Sequence, residues 1–439
     1  MECVFRRKIE NRIIRYFNDA EAPILVIEGA RQVGKSFIIR SLCKKHYSHF
    51  VEINLMNDKE NERIFENISD ANDFFMVVQS ISGQKLGDCG DTIIFLDEIQ
   101  EYPYLLTMLK SLKNENRYRI IVSGSLLGVT LTKTSSIPIG SIEIVRMYPM
   151  DFEEFLWANG IDDRLISEIK KSVTDRTQIS DGVHKRLLKL FKYYLICGGL
   201  PYCVGLFIGE NDIVRLRDAQ LNIYALYGDD ASKYDRENKL HTKAIFDIIP
   251  STIENKRKRM FVKDIDGSKS RFSDYEEDFD VLVNSGIVLE VKCCANPAFR
   301  LLESAKRNLL KLYFADVGLL TAVLFRYNVS PILNDDVKVN LGNVYECAAA
   351  MQLAANGHEL FYADDKKIGE IDFLIDDYNS LSVKAIEIKS GKDFRKHNAL
   401  DNVMKKYEGI SDGIVLSGNG NIESVGKMTY LPIYALMFI

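Results

Sequence analysis

Residues 29–36 have the residue types and the spacing of a phosphate-binding loop, and they directly follow an apolar run at residues 24–27. A glycine-containing loop between a strand and a helix turns backbone N–H groups toward phosphate oxygens. The lysine of such a loop reaches the β- and γ-phosphates, and the hydroxyl after it binds Mg²⁺. The sequence therefore predicts a nucleoside triphosphate site formed by Gly29, Ala30, Arg31, Gln32, Val33, Gly34, Lys35 and Ser36.

Two acidic residues follow another apolar run, at residues 92–96, and are expected to complete that site. Asp97 is predicted to hold Mg²⁺ through water, and Glu98 to orient and polarise the water that attacks the γ-phosphate. A third apolar run, residues 119–122, leads to Ser125, whose hydroxyl is expected near the γ-phosphate, although Ser-Gly-Ser is also ordinary turn chemistry. The predicted catalytic residues are Glu98, Lys35 and Ser125, and the predicted metal ligands are Ser36 and Asp97.

A second group of charged residues lies near the C-terminus, on two strand-like runs at residues 369–375 and 383–390. Their spacing places Glu387 and Lys389 on one face of a strand, where Asp372 of the neighbouring strand can meet them. Carboxylates suit Mg²⁺, and a lysine can position a hydrolytic water or stabilise charge on a phosphodiester. The alternative is an amphipathic hairpin whose charges face water. The candidate site consists of Glu346, Asp372, Glu387 and Lys389.

Changes of pattern along the chain predict several domains. Apolar runs alternate with helical stretches through residues 1–150, as in a parallel sheet wrapped by helices. A mainly helical region follows, and then a helix, a glycine turn and a strand-like run suggest a winged-helix-like unit. The predicted organisation is a nucleotide-binding domain at 1–150, a helical lid at 151–240, a winged-helix-like domain at 241–325 and an α/β domain at 326–439.

Composition limits the choice of partners and compartment. The 439 residues carry a formal net charge of −5, which argues against indiscriminate coating of nucleic acid but allows a local basic site. The densest basic run is residues 256–259, for which a solvated helix end is the alternative interpretation. The sequence has no long apolar run and no signal-peptide core, and its 8 cysteines form no C-x-x-C pair. We therefore expect a cytoplasmic protein without membrane contact.

The order of the motifs resembles the AAA-type ATPases of bacteria and archaea whose C-terminal region, formerly of unassigned function, contains a restriction-endonuclease-like fold of the PD-(D/E)xK class. The resemblance implies an α/β fold with a P-loop AAA-type parallel sheet, a helical lid, a winged-helix-like middle segment and a C-terminal α/β restriction-endonuclease-like domain. It covers essentially the whole chain. Besides the phosphate loop, it rests on residues 95–100, 123–125, 148–155, 198–201, 311–320 and 342–346, and on Asp372, Glu387 and Lys389.

The resemblance also implies ATP and Mg²⁺ as cofactors, and an ATP-driven conformational switch coupled to a nuclease-like domain that engages DNA or RNA. Two alternatives are a nucleotide-controlled binding or regulatory protein that cleaves nothing, and a scaffold that contacts DNA through the winged-helix-like segment. Ring-forming AAA motors carry an arginine finger before the last strand of the sheet. Here that stretch contains only Arg146, within the strand itself, and Lys133. We therefore expect a monomer or small oligomer rather than a hexameric ring; the sequence does not identify a protein partner.

Overall fold

The chain forms two compact units. The first comprises Arg6–Tyr148 with Asn284–Gly286, and the second includes Pro149–Val283 and Ile287–Ile439. The computed structural model describes residues 4–83, 85–125, 140–232, 241–255, 258–266, 271–336, 339–366 and 368–439. In those ranges, no helix combines the length and the apolar character that crossing a membrane requires.

The first unit is built on a parallel sheet of five strands. The strands are β1 (Ile24–Glu28), β2 (His49–Asn54), β3 (Thr92–Asp97), β4 (Arg119–Gly124) and β5 (Ile142–Arg146). Their order across the sheet is β2-β3-β4-β1-β5, so β1, which leads into the phosphate loop, lies between β4 and β5. The strands predicted from the apolar runs at residues 24–27, 92–96 and 119–122 are confirmed as β1, β3 and β4.

Helices cover this sheet, and this explains why its central strands β1, β3 and β4 are buried along nearly their whole length. Ile24 and Val26 of β1 belong to a core that the sheet shares with the third, fourth and fifth helices. The alternate residues Leu25 and Ile27 are equally buried and point to the opposite face. The helices of this unit are α1 (Ile9–Asn18), α2 (Lys35–His46), α3 (Leu55–Glu60), α4 (Ala71–Ser82) and α5 (Pro103–Glu115), with short 3₁₀ turns at Ile64–Asn67 and Ile99–Glu101.

The second unit begins with helices, as the sequence predicts. Asp151 and Glu154 form a reciprocal capping box that starts the first of them, because each side chain accepts a hydrogen bond from the other residue's backbone N–H. These helices are α6 (Phe152–Ala158), α7 (Asp163–Thr174), α8 (Asp181–Cys197), α9 (Pro201–Glu210) and α10 (Ile213–Ser232).

A break at residues 198–200 separates α8 from α9, and a buried carboxylate stabilises it. Asp316 accepts hydrogen bonds from the backbone N–H groups of Gly199, at 2.6 Å, and Leu319, at 3.0 Å. A Cβ on Gly199 would lie 2.0 Å from the carbonyl oxygen of Met150, so only glycine fits this approach. Two of the segments on which the resemblance rests therefore have a packing role here.

The rest of this unit is an eight-stranded mixed sheet with further helices. Its order is β12-β13-β11-β10-β9-β8-β6-β7. The strands are β6 (Val288–Cys294), β7 (Ala305–Phe314), β8 (Phe361–Asp365), β9 (Gly369–Asp377), β10 (Ser382–Lys389), β11 (Ile410–Ser417), β12 (Glu423–Val425) and β13 (Met428–Pro432). The helices are α11 (His241–Glu254), α12 (Lys263–Asp266), α13 (Glu276–Asn284), α14 (Val317–Phe325), α15 (Ser330–Asn334), α16 (Gly342–Ala355) and α17 (Asn398–Lys406), and 3₁₀ turns lie at Phe272–Asp274, Leu301–Ser304 and Ile433–Phe438.

The hairpin that suggested a winged-helix-like unit is part of this large sheet. Strands β6 and β7 pair antiparallel, and β6 also pairs in parallel with β8. Gly286, after α13, has a φ of +76°, as expected for a left-handed helix C-cap. The predicted elements are present, whereas the boundaries of a separate domain at 241–325, and of the other predicted domains, stay predictions.

Candidate functional site

The phosphate loop runs from the end of β1 to the first turn of α2, and its glycines adopt conformations that side chains disfavour. Gly29 has a φ of +153° and Gly34 a φ of +95°. A Cβ on Gly29 would lie 2.2 Å from the carbonyl oxygen of Met147, next to β5. These positions therefore require glycine, and the loop leaves the N-terminus of a 12-residue helix facing the site.

Lys35 is the charged centre of this site, and only 5% of its surface is exposed. Its ammonium group donates hydrogen bonds to two neutral acceptors, the carbonyl oxygens of Gly29 at 2.8 Å and Ala30 at 2.9 Å. Burial lowers the pKa of Lys35 to about 8, although the nearby carboxylates of Glu98 and Asp97 oppose that shift. A phosphate would offer this ammonium group stronger, charged acceptors.

Asp97 lies at the end of β3, where two hydroxyls donate to its carboxylate. Ser123 at the end of β4 donates to Oδ1, and Ser36 of the phosphate loop donates as well. Burial raises the pKa of Asp97, the two hydroxyl hydrogen bonds lower it, and the charge of Glu98 raises it further. The structure thus brings together the two predicted metal ligands, Ser36 and Asp97.

Glu98 follows directly and has a left-handed backbone, with a φ of +60°. One oxygen of its carboxylate, Oε2, accepts hydrogen bonds from the Gln100 amide and, at 3.3 Å, from the Ser125 hydroxyl. Gln100 also approaches Ser125, at 3.4 Å. Glu98 and Ser125 are predicted site residues, whereas Gln100 was not predicted. The available signals were the position of Gln100 two residues after Glu98 and its place in residues 95–100, one of the segments on which the resemblance rests.

A cavity of ≈ 290 Å³ lies beside the loop, and it is lined by Arg31, Gln32, Gly34, Lys35, Ser36, Phe37, Met56 and Glu98. Lys35, Ser36 and Glu98 contribute polar groups, and Phe37 and Met56 contribute apolar surface. Because Ser36 and Asp97 bring a hydroxyl and a carboxylate into contact, their oxygens fit Mg²⁺, which prefers such hard donors. A larger groove of ≈ 780 Å³ beside α4 and α5 contains none of the predicted site residues.

Arg146, the arginine considered for an arginine finger, has an internal partner. Its Nε lies 2.7 Å from Oε1 of Glu28, on the adjacent strand β1. The ion pair joins β5 to β1, the strand that leads into the phosphate loop. Lys133 lies outside the described residues.

The C-terminal candidate residues lie in the second unit, on α16, β9 and β10. We use the name carboxylate cluster for Glu346, Asp372 and Glu387. Glu346 accepts a hydrogen bond from the Tyr313 hydroxyl at 2.8 Å and forms an ion pair with Lys258. Burial raises the pKa of Glu346, but the charges of Lys258 and Lys311 outweigh burial, so that the net shift is downward.

The other two carboxylates are also buried. Asp372 accepts a hydrogen bond at 2.8 Å from the backbone N–H of Ile388, and Lys389 donates to Glu387 at 2.7 Å. Burial and the charges of Glu346 and Glu387 raise the pKa of Asp372 well above its usual value. Burial likewise raises the pKa of Glu387, although Lys389 opposes the shift.

The carboxylate cluster does not have the geometry of a metal shell. Across the described ranges, no three His, Cys, Asp or Glu side chains form a group that could hold a metal ion. Asp372 and Glu387 nevertheless lie on the paired strands β9 and β10. The cluster also involves three residues from other parts of the chain that were not predicted, Lys258, Tyr313 and Lys311. The assignment of a nuclease-like site stays a prediction.

Three segments of the chain match family models. Residues 21–156, which include the phosphate loop, match a model described as an AAA domain. Residues 188–329 and 341–436 match two domains of unknown function (DUF8612 and DUF4143). The latter two descriptions state no activity, so the comparisons support nucleotide use but not a nuclease-like fold.

A curated relative, an uncharacterized protein of Haemophilus influenzae, is 27% identical over 158 residues. The match covers 34% of this chain and 38% of the relative's own length. The chain therefore matches well under half of that protein.

Three solved structures show weak similarity. A Walker-type ATPase of Pyrococcus abyssi is 15% identical with a TM-score of 0.45, over 73% of this chain and 96% of that one. Cdc6p of Pyrobaculum aerophilum is 12% identical with a TM-score of 0.27, over 77% and 97%. Pif1 helicase of Candida albicans is 12% identical with a TM-score of 0.24, over 42% and 47%. At these values the similarities carry no argument about this chain.

Proposed function

We propose that the protein binds ATP with Mg²⁺ and hydrolyses it, and that turnover drives a conformational switch. The observation that carries the proposal is the set of groups around one cavity: Lys35 and Ser36 from the phosphate loop and Glu98 from the end of β3. Asp97 touches Ser36 at the same place. A cation, a hydroxyl and two carboxylates are the groups that phosphoryl transfer to water requires.

Each residue has a separate task in this mechanism. Lys35 exchanges its bonds with the carbonyl oxygens of Gly29 and Ala30 for phosphate oxygens and stabilises their charge. Bound Mg²⁺ would neutralise phosphate charge, and Ser36 and Asp97 would hold it. Glu98 accepts a proton from the attacking water. Gln100 and Ser125 hold Glu98 in position through Oε2.

The test is to measure binding of ATP and its steady-state hydrolysis with Mg²⁺. We expect Lys35→Ala to abolish turnover and to weaken binding, because the loop loses its only side-chain ammonium. Lys45→Ala is the matched control, since Lys45 is an exposed lysine on the same helix, α2. Equal turnover in wild type and Lys35→Ala would refute the assignment.

The second unit has two candidate roles, and both belong to the same proposal. It either cleaves a phosphodiester at the carboxylate cluster or binds a partner, such as DNA or RNA, without cleavage. The ion pair between Lys258 and Glu346 favours the second role, because it occupies a carboxylate that catalysis would need. Incubation of labelled DNA and RNA with Mg²⁺ separates the two, and cleavage that disappears in Asp372→Ala would establish the first.

The described part of the basic run gives little support to a DNA-binding scaffold. Lys258 is paired with Glu346, and Arg259 lies 2.9 Å from Asp364. These two cations therefore already have intramolecular partners. Residues 256 and 257 lie outside the described residues.

We further propose a monomer or small oligomer, supported by the engagement of Arg146 with Glu28 in the same unit. Sizing the protein with and without a non-hydrolysable ATP analogue tests this, and a stable hexamer would contradict it.

ATP hydrolysis measured with and without DNA tests whether nucleotide turnover is coupled to nucleic acid. Stimulation that Lys35→Ala abolishes would join the two units into one nucleic-acid-dependent ATPase.

A further inference from the structure

Arg7, two residues before α1, contacts the phosphate loop although it lies 26 residues before Val33 in the sequence. One nitrogen of its guanidinium group, Nη1, donates to the carbonyl oxygen of Val33 at 2.8 Å, and the other, Nη2, donates to that of Tyr148 at 2.7 Å. Arg7 is only 6% exposed. Burial of a charged group is costly unless hydrogen bonds compensate it, so these two contacts hold the side chain in place.

The contact with Tyr148 fixes Arg7 to the chain just after β5. The carbonyl oxygen of the preceding residue, Met147, lies so close to Gly29 that a Cβ has no room there. The chain after β5 therefore supports the phosphate loop at two points, at Gly29 by close packing and at Val33 through Arg7. A loop supported in this way holds its backbone groups in one orientation before a ligand binds.

The hydrogen bond to Val33 also determines where the next backbone N–H group points. The peptide between Val33 and Gly34 is trans, and in a planar trans peptide the C=O and the N–H point in opposite directions. Because Arg7 holds the carbonyl oxygen, the N–H of Gly34 points away from Arg7. Val33 is fully buried, whereas Gly34 lines the cavity beside the loop.

The positive charge of Arg7 adds to the effect of this orientation. A hydrogen bond with an ionised donor is roughly twice as strong as one between neutral groups. Hydrogen bonds that share a peptide polarise one another, so a charged donor on the carbonyl oxygen makes the N–H of the same peptide a stronger donor. The residues that line the described cavity do not include Arg7, so its influence on an anion there passes through the Val33–Gly34 peptide.

We propose that Arg7 is a positioning residue of the nucleotide site: it orients the Val33–Gly34 peptide so that the N–H of Gly34 faces the phosphates, and it thereby sets nucleotide affinity. This inference rests on the proposed binding of ATP at the phosphate loop. The N–H binds phosphate oxygens in the ground state and in the transition state alike, so Arg7 contributes to binding and not to the rate of the chemical step. The segment that matches the AAA domain model begins at residue 21, after Arg7.

The test is calorimetric titration of the full chain with Mg²⁺ and a non-hydrolysable ATP analogue, which separates affinity from the fraction of protein that binds. Arg7→Ala should bind about 10- to 100-fold more weakly at unchanged stoichiometry, because the loop loses a hydrogen bond from a charged group. Arg7→Lys keeps the charge but lacks the fork that reaches both carbonyl oxygens, so its affinity should lie between those of Arg7→Ala and wild type. In ATP hydrolysis by Arg7→Ala, KM should rise and kcat should stay within about twofold of wild type.

Arg6→Ala is the matched control, because Arg6 is the adjacent arginine and is exposed. This variant should bind the analogue as tightly as wild type. A residue that only stabilised the fold would instead lower the fraction of protein that binds, and the remaining protein would keep its affinity. Circular dichroism establishes that each variant is folded.

Three results would overturn the proposal: wild-type affinity in folded Arg7→Ala or Arg7→Lys, a loss in Arg7→Ala that appears only as lower stoichiometry, or an equal loss of affinity in Arg6→Ala. If Arg7→Ala does not fold, Arg7→Lys decides the question. Wild-type protein that binds no analogue would refute the proposed function and this inference together. Binding that persists in the Arg7 variants would refute only the role of Arg7, so the two failures are distinguishable.

Discussion

The phosphate-loop site and the carboxylate cluster contain the same kinds of groups, a lysine beside carboxylates, but they differ in how those groups are paired. In the phosphate-loop site, Lys35 donates to neutral carbonyl oxygens, and Glu98 accepts from a neutral amide and a hydroxyl. In the carboxylate cluster, Lys258 and Lys389 bind Glu346 and Glu387 directly. The first arrangement keeps its charges available for a ligand, whereas the second neutralises them internally.

The charged groups of the two sites therefore have different effects: those of the phosphate-loop site affect ligand binding, and those of the carboxylate cluster affect the stability of the fold. A buried ion pair contributes little net stability compared with apolar packing, but removal of one partner is strongly destabilising. Neutral partners such as carbonyl oxygens can be exchanged for phosphate at small cost. We therefore expect substitutions in the phosphate-loop site to change turnover, and substitutions in the carboxylate cluster to change folding.

The largest expected effect is on turnover in the phosphate-loop site. Glu98→Gln should reduce ATP hydrolysis by about 10²–10⁴-fold, because the amide cannot accept a proton from water. ATP affinity should stay close to that of wild type, since Lys35 and Ser36 are unchanged. Equilibrium binding and single-turnover assays measure the two quantities.

The control is Glu101→Gln, three residues further along, where the carboxylate pairs with Lys59 near the surface. This variant should retain wild-type turnover. If Glu98→Gln hydrolyses ATP at the wild-type rate, Glu98 is not the general base and the catalytic assignment in the phosphate-loop site is wrong.

The matching test of the carboxylate cluster concerns stability. Glu346→Ala should lower the free energy of unfolding by about 3–5 kcal/mol, because it leaves the Lys258 ammonium group without its partner. Urea denaturation followed by tryptophan fluorescence measures the effect. The chain has 1 tryptophan, Trp157 on α6, so the signal reports on the second unit.

Glu303→Ala provides the comparison, because its ion pair with Arg300 is 70% exposed on both sides. Such a surface pair contributes about 0–1 kcal/mol, and the variant should unfold near the wild-type midpoint. Similar midpoints for Glu346→Ala and Glu303→Ala would mean that the pair on Glu346 is not buried in solution.

A smaller effect, on the pH dependence of ATP affinity, is expected from the lowered pKa of Lys35. Burial lowers this pKa to about 8 in the nucleotide-free protein, and bound phosphate favours the charged form. Below pH 8 the ammonium group is already present; above pH 8 ATP binding must take up a proton. We therefore expect ATP affinity to fall by up to about tenfold per pH unit as pH rises through 8.

Calorimetry in two buffers with different ionisation enthalpies detects the proton uptake at pH 8.5. In Lys35→Arg the guanidinium stays charged, and the pH dependence above 8 should disappear. An identical profile in Lys35→Arg would assign the proton to another group.

The smallest expected effect concerns Ser125. Its hydroxyl donates to Glu98 at 3.3 Å, and removing one such hydrogen bond is equivalent to about 1 kcal/mol. Ser125→Ala should lower the rate of hydrolysis about fivefold without changing ATP affinity. Ser80→Ala, an exposed serine on α4, is the control. A rate loss as large as that of Glu98→Gln would mean that Ser125 contacts the substrate itself.

The sequence predicts the first unit well because its signals are local. Lys35 and Ser36 are adjacent, Asp97 and Glu98 follow an apolar strand, and parallel strands bring their carboxyl ends to one edge of the sheet. The same holds for β9 and β10, whose alternation places Asp372 and Glu387 on paired strands.

The partners of the carboxylate cluster could not be predicted in this way. Lys258 belongs to a run of four cations, which in sequence resembles a solvated helix end, yet its side chain is paired 88 residues away. Tyr313 reaches Glu346 from β7, which comes next to β6 only through pairing in the folded sheet. These contacts depend on tertiary packing, and no short-range spacing encodes them.

Strand β7 is one edge of the eight-stranded sheet, and its residues affect whether the chain aggregates at high concentration. An exposed strand edge offers free backbone groups to a second molecule. At the start of β7, Lys306 and Arg307 are exposed, and further along Met260 already bonds to Leu310. The charges of Lys306 and Arg307 and the hydrogen bond from Met260 discourage a second molecule from adding a strand at this edge. Neutralising Lys306 and Arg307 should therefore favour aggregation before the substitutions affect folding.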